Sequence, residues 1–241
     1  MKVIHCKSYE EMSDAAAKIM EEQIAKKPDS VLGLATGSTP VGLYAALRRD
    51  YAAGKVDFSK VTTVNLDEYC GLAGDHPQSY RFFMQDNLFD HVNVRPDHTF
   101  VPVGTAKDLD AEAKRYEKLV ASLGYADLQL LGVGPNGHIG FNEPAEELFL
   151  ETHVAPLTET TIRANARFFN SEDEVPKRAL SMGMGTIFAA RRIMLLANGA
   201  AKREAIKALL TKDTVDTKCP VTLLHLHQDV TVICDDEAWP L

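Results

Sequence analysis

Residues 132–143, GVGPNGHIGFNE, carry an amide, an imidazole and a carboxylate (Asn136, His138 and Glu143) in one short stretch punctuated by glycine. An imidazole titrates near neutrality, and a carboxylate beside it fixes its tautomer, so the pair is a general acid/base. A histidine in a buried turn also serves simply to satisfy backbone groups, and the loop alone leaves that reading open. Gly132, Gly134 and Gly137 match G-x-G-x-x-G directly after the apolar run LQLLGV. A dinucleotide cradle, however, needs a helix at its last glycine and an acidic residue about 20 positions on, at the end of the next strand. HIGFNEP follows instead, and Gly140, Asn142 and Pro144 suit a turn. The dinucleotide reading fails on context.

Three further clusters follow apolar runs. After VLGLA, Thr36, Gly37, Ser38 and Thr39 offer hydroxyls, a glycine for close backbone approach and the start of a helix, which together make a phosphate seat. Ser38 or Thr39 as a mere helix cap, with Pro40 in the first turn, is the plainer alternative. After VTTVNL comes Asp67, whose carboxylate could take a proton from carbon or oxygen if burial tunes it. Its neighbour Glu68 points elsewhere on an extended backbone, and a cap or solvated turn would explain DEY equally well. After RIMLLA, Lys202 sits in the first turn of a helix, where a cation meets the positive dipole end unless an anion is bound. An exposed lysine without a role is the alternative. His225 and His227 would share a face if LLHLH were extended, but no third ligand stands at zinc spacing, so no metal is expected. Neither a P-loop nor a G-x-S-x-G elbow occurs.

These clusters need elements to position them. Ser8 and Glu11 have capping-box spacing, and Met12, Ala15, Ala16, Ile19, Met20 and Ile24 form one helical face up to Pro28. VLGLA, VTTVNL, HTFVPV, LQLLGV, RIMLLA and VTVICD read as strands. They alternate with helices over VGLYAALRRDYAAG, SYRFFMQDNLF, DLDAEAKRYEKLVASLG, VPKRALSMGMGTIFAA and GAAKREAIKALLTK. Strand and helix in alternation predict a doubly wound, mainly parallel α/β sheet with helices on both faces, a Rossmann-like three-layer sandwich. Such sheets bind ligands at the carboxyl ends of their strands, where all four clusters fall.

The chain has 241 residues and is 45% hydrophobic, enough for one sizeable core, and no linker or repeat divides residues 1–241. Without a signal-like start or a run of about 18 apolar residues, a cytoplasmic protein is expected, with no membrane partner. Cys6, Cys70, Cys219 and Cys234 are widely spaced and read as reduced thiols. A net charge of −8 with no basic cluster argues against nucleic acid, but leaves room for a small anionic substrate held by two or three cations.

Taken together, LGLATGSTP, VNLDEYCGL, GVGPNGHIGFNEP, RANARFF and HLHQDVTVICD resemble the glucosamine-6-phosphate deaminase family across nearly the whole chain, LDEY with GHIGFNEP being the most specific. The resemblance implies conversion of glucosamine 6-phosphate and water to fructose 6-phosphate and ammonia, without metal or cofactor. It assigns ring opening to His138 with Glu143 and Asn136, and the carbon 2 to carbon 1 proton transfer to Asp67. Phosphate would rest on Thr36, Gly37, Ser38 and Thr39 with Arg167 and Lys202, Arg163 being a neighbour. A mobile lid is implied over about residues 151–182, bringing Arg167 by closure. Asn136 stands where some members have Asp. FLETHVAPL lacks the basic residues of allosteric members, so no activation by N-acetylglucosamine 6-phosphate is expected, and a monomer or small homo-oligomer is. The rivals are a 6-phosphogluconolactonase-like hydrolase, which resembles this family in fold and needs no carbon-proton base, and a non-catalytic sugar-phosphate-sensing domain.

Overall fold

In the computed structural model, residues 1–240 are described, except Arg167, Phe168 and Asn170. The strands are β1 (Lys2–His5), β2 (Val31–Leu34), β3 (Thr62–Asn65), β4 (Asp67–Tyr69), β5 (Thr99–Phe100), β6 (Leu128–Leu131), β7 (His153–Pro156), β8 (Arg178–Ser181), β9 (Ile193–Ala197) and β10 (Val230–Cys234). The α-helices are α1 (Tyr9–Lys26), α2 (Val41–Ala52), α3 (Tyr80–Asn87), α4 (Leu109–Ser122), α5 (Glu159–Asn165), α6 (Met184–Phe188) and α7 (Arg203–Thr211).

Seven strands form one sheet in the order β1-β10-β9-β6-β2-β3-β5, and every pairing in it is parallel. The expected α/β fold is borne out, with helices flanking the sheet. β2, β6, β9 and β10 are buried along their whole length, as strands covered on both faces must be. Gly33 of β2 lies opposite Gln129 of β6, and a Cβ at Gly33 would collide with the Gln129 amide. From β2 the chain builds outward through β3 to β5, then returns to place β6 on the other side of β2. The order reverses between β2 and β6, and a crevice opens at such a point beyond the carboxyl ends.

Two elements differ from expectation. β1 pairs with β10 at the sheet edge although KVIH is short and mostly exposed, because register with a buried partner decides what local pattern does not. VPKRALSMGMGTIFAA is not one helix: Arg178–Ser181 is a strand, and only Met184–Phe188 is helical. The strand exists because β8 is the middle of an antiparallel sheet, β4-β8-β7, whose tertiary pairing overrides helical propensity. A second apolar cluster accompanies this small sheet, with Tyr69, Phe141, Ala155, Leu157, Ile162, Val175 and Ala179 buried and Tyr80 and Phe169 packed against them.

Candidate active site

Because β9, β6, β2 and β3 are neighbours and parallel, the segments that follow them emerge side by side at one sheet edge. These segments hold Lys202, the loop of His138, the turn of Thr36–Thr39, and Asp67. The strand order thus puts the four clusters on neighbouring strand ends, where the sequence pattern expects them.

Asp67 is placed by a change of sheet. Leu66 N–H donates to Leu34 O at 3.1 Å, still within the main sheet, and Asp67 then opens β4 opposite Ser181. Its side chain is buried, and burial together with the adjacent Glu68 charge pushes the carboxyl up to about 8. Glu68 faces away, as expected: it accepts the backbone N–H groups of Tyr69, Tyr80 and Arg81 at 2.8–2.9 Å, holding the start of α3. Behind the strand ends, two fully buried tyrosines donate to backbone carbonyls, Tyr44 to Ala35 at 2.6 Å and Tyr116 to Asn65 at 2.8 Å. Burial raises both phenols well above their ordinary range, so they remain neutral donors. No motif announces these tyrosines; only their place on the inner faces of α2 and α4 does.

The loop of His138 folds on itself and on its neighbours. Gly134 N–H donates to His138 O at 2.9 Å and Gly137, at φ 86°, returns an N–H to Gly134 O. A Cβ at Gly134 would strike the His138 ring, so the glycine is a seat for the imidazole. Val221 N–H donates to Gly137 O at 2.8 Å, and the Cys219 thiol packs on Gly137. The stretch of Cys219 and Val221 therefore supports the His138 loop. It is a 3-10 segment (Pro220–Leu226) and not extended, and His225 and His227 donate to the carbonyls of Leu209 and Ala190. The two rings therefore serve separate contacts.

His138 Nδ1 stands 3.3 Å from Glu143 Oε2, within ion-pair reach, though the alignment is not that of a hydrogen bond. Asn136 donates from Nδ2 to Glu143 Oε2 at 2.8 Å and accepts the His138 N–H at 3.2 Å through Oδ1. The neutral amide does both, which an ionised carboxylate could not, so Asn136 supports the pair as a donor and adds no second charge. Burial would raise the Glu143 carboxyl, but His138, Thr161 and Asn136 outweigh it and hold it at about 2. Thr161, which donates to Glu143 Oε1 at 2.6 Å, was not legible in the sequence. The loop meets Asp67 at Gly140, whose φ is +58°. A Cβ there would stand 3.1 Å from Ser181 Oγ and 3.6 Å from Asp67 Oδ2.

At the turn of Thr36–Thr39, Gly37 has φ 96° and α2 begins at Val41 with no side-chain cap, so the capping alternative for Ser38 and Thr39 does not hold. Thr39 instead donates to Asn198 Oδ1 at 2.7 Å, joining the turn after β2 to the turn after β9. Gly199, at φ 82°, donates to both oxygens of Asp235 at 3.1 Å, and the chain then enters the 3-10 turn that carries Lys202 ahead of α7. Arg163 is on α5 and pairs with Glu159 at 3.4 Å on an exposed face. Arg167 lies outside the described residues.

The fold and this site define the class. The chain belongs to the glucosamine-6-phosphate isomerase/6-phosphogluconolactonase family, whose model matches residues 7–233. Within it the chain is similar to glucosamine-6-phosphate deaminases. It is 57% identical to that of Clostridium beijerinckii, covering 98% of each chain, and 52% identical to glucosamine-6-phosphate deaminase 1 of Bacillus subtilis, covering 99% of this chain and 98% of that one. The solved structure of a monomeric glucosamine-6-phosphate deaminase superposes with a TM-score of 0.96 at 52% identity, over 99% of this chain and 98% of that one. The 6-phosphogluconolactonase of Trypanosoma cruzi shares the fold, with a TM-score of 0.80, at 22% identity over 98% of this chain and 95% of the other.

Proposed function

We propose that the chain converts glucosamine 6-phosphate and water to fructose 6-phosphate and ammonia. The carrying observation is two acid/base groups of opposite tuning that meet through Gly140 at one sheet edge, a buried Asp67 near 8 and a Glu143 near 2 facing His138. Groups whose environments push their protonation apart divide acid and base duties between them. His138, supported by Glu143 and Asn136, moves the proton that opens the pyranose ring. Asp67 then takes the proton from carbon 2 of the open sugar and returns it at carbon 1, passing through an enolamine to an imine. Water adds to the imine carbon and ammonia leaves, which makes the net reaction an isomerisation coupled to hydrolysis.

The phosphate rests on Thr36, Gly37, Ser38 and Thr39, with Lys202 and Arg167 as cations; a planar guanidinium bonds phosphate oxygens in pairs. Residues 151–182 act as the lid that brings Arg167 in, residues 1–241 working as one domain. The Thr161–Glu143 bond supports this, since it ties that segment to the acid/base pair. The protein acts in the cytoplasm, as a monomer like its solved relative, and does not respond to N-acetylglucosamine 6-phosphate.

Purified protein mixed with glucosamine 6-phosphate is expected to release ammonia and fructose 6-phosphate in equal amounts. The Asp67→Asn variant should release neither. Ammonia formed equally by that variant would remove the base role, and hydrolysis of 6-phosphogluconolactone without ammonia release would favour the lactonase reading.

A further inference from the structure

Glu143 is held from two sides, and only one of them is the catalytic loop. On the loop side, Oε2 accepts from Asn136 and faces His138. On the other side, Oε1 accepts the Thr161 hydroxyl at 2.6 Å, a short distance typical of a hydroxyl on a carboxylate. Thr161 is in the first turn of α5, buried, and its bonds have a fixed direction. Its hydroxyl hydrogen goes to Glu143, while its oxygen accepts the hydroxyl of Thr158, the α5 cap, at 3.0 Å. The Thr161 N–H returns to Thr158 Oγ at 3.2 Å. The next residue, Ile162, is buried in the apolar cluster with Tyr69 and Phe141, which sets the rotation of α5 and aims Thr161 at the carboxylate.

We infer that Thr161 is a positioning residue: through its hydroxyl, the first turn of α5 holds Glu143 opposite His138, so that the acid/base pair is complete only when α5 is docked. This rests on the deaminase reading for its catalytic consequence. The titratable group facing Glu143 is His138; on α5 itself, Glu159 and Arg163 engage each other at the surface. Thr161 and Asn136, both donating, add to the pull of His138 that holds the partly buried Glu143 carboxyl low.

The test compares Thr161→Val, which keeps the shape and loses the hydroxyl, with Thr161→Ser, which keeps the hydroxyl and loses the methyl. Thermal melts first establish that both fold. In Thr161→Val, kcat for glucosamine 6-phosphate should fall about tenfold with KM changed by less than about twofold. The Glu143 carboxyl, followed by carbon-13 NMR and assigned by its loss in Glu143→Gln, should titrate upward from about 2 toward the ordinary carboxylate range. Thr161→Ser should restore both. Wild-type kcat and an unmoved Glu143 titration in Thr161→Val would overturn the inference. So would equal impairment of both variants with the titration unmoved, which would mark a packing role. Should the wild-type protein release no ammonia, the deaminase reading falls, while the titration still reports whether Thr161 governs Glu143.

Discussion

Asp67 carries its proton to higher pH in the folded chain than in the unfolded one, and this ties activity to instability. Its carboxyl moves from an ordinary 3.8 to about 8 by burial and by the neighbouring Glu68 charge. Below about pH 4 both states are protonated and the residue is neutral to stability; between 3.8 and about 8 the unfolded chain ionises first, so stability falls with rising pH; above about 8 the penalty is constant. Asp67→Asn should therefore raise Tm by at least about 2–4 °C at about pH 9, leave it unchanged at about pH 3, and lower kcat at least about 100-fold. A catalytic base also has to be ionised, so kcat/KM should climb through the same window. Matched melts and pH–rate profiles check both. At this scale Asp67, Asn136, His138 and Glu143 were legible because residue type names the chemistry. Thr161, Tyr44 and Tyr116 were not, since a hydroxyl becomes specific only when folding decides which oxygen it reaches.

The elements explain why chemically apt side chains converge. Parallel neighbours deliver their carboxyl ends to one edge, and alternating strands and helices in the sequence were enough to expect that. The small sheet β4-β8-β7 was hidden, because residues 178–188 have an apolar pattern that fits a helix and their strand pairing is entirely long-range. Yet it is this sheet that turns the chain at Asp67 and carries Ser181 to Gly140. Gly140→Ala should expose its importance. A side chain at φ +58° costs about 1 kcal/mol or more in backbone strain, and its Cβ presses on Ser181 Oγ. The expected result is a lower Tm and a fall in kcat larger than any rise in KM, because the methyl group stands 3.6 Å from Oδ2 of Asp67, the proposed base. Thr39→Val should behave in the opposite way. Losing the 2.7 Å bond to Asn198 loosens the two turns proposed to hold the phosphate, so KM should rise about tenfold while kcat changes by less than about threefold. Steady-state kinetics on the two variants separate these elements by function.

For the whole molecule, the reading of one α/β sheet with its site at the strand ends was available from pattern alone, while its edges were not. β1 is four residues long and mostly exposed, yet it closes the sheet against β10, residue 2 opposite residue 231 and residue 5 opposite residue 234. His5 stacks on Trp239 at 4.4 Å and bonds Asp236 at 2.6 Å, so the two ends of the chain hold each other. Removing residues 1–7 should uncover the buried strand β10 as a new edge. The truncated protein should sediment partly as larger species than the intact chain, whose mass is 26.5 kDa.

The same pairing sets an order of events at the ribosome. A parallel partner for the first strand is synthesised more than 220 residues later, at a rate of about 5–20 residues per second, so β1 waits at least ten seconds or so for β10. During that wait its backbone donors and acceptors have no strand partner, and its shortness, four residues with a charged Lys2 and a His5 at its ends, limits what it can offer another nascent chain.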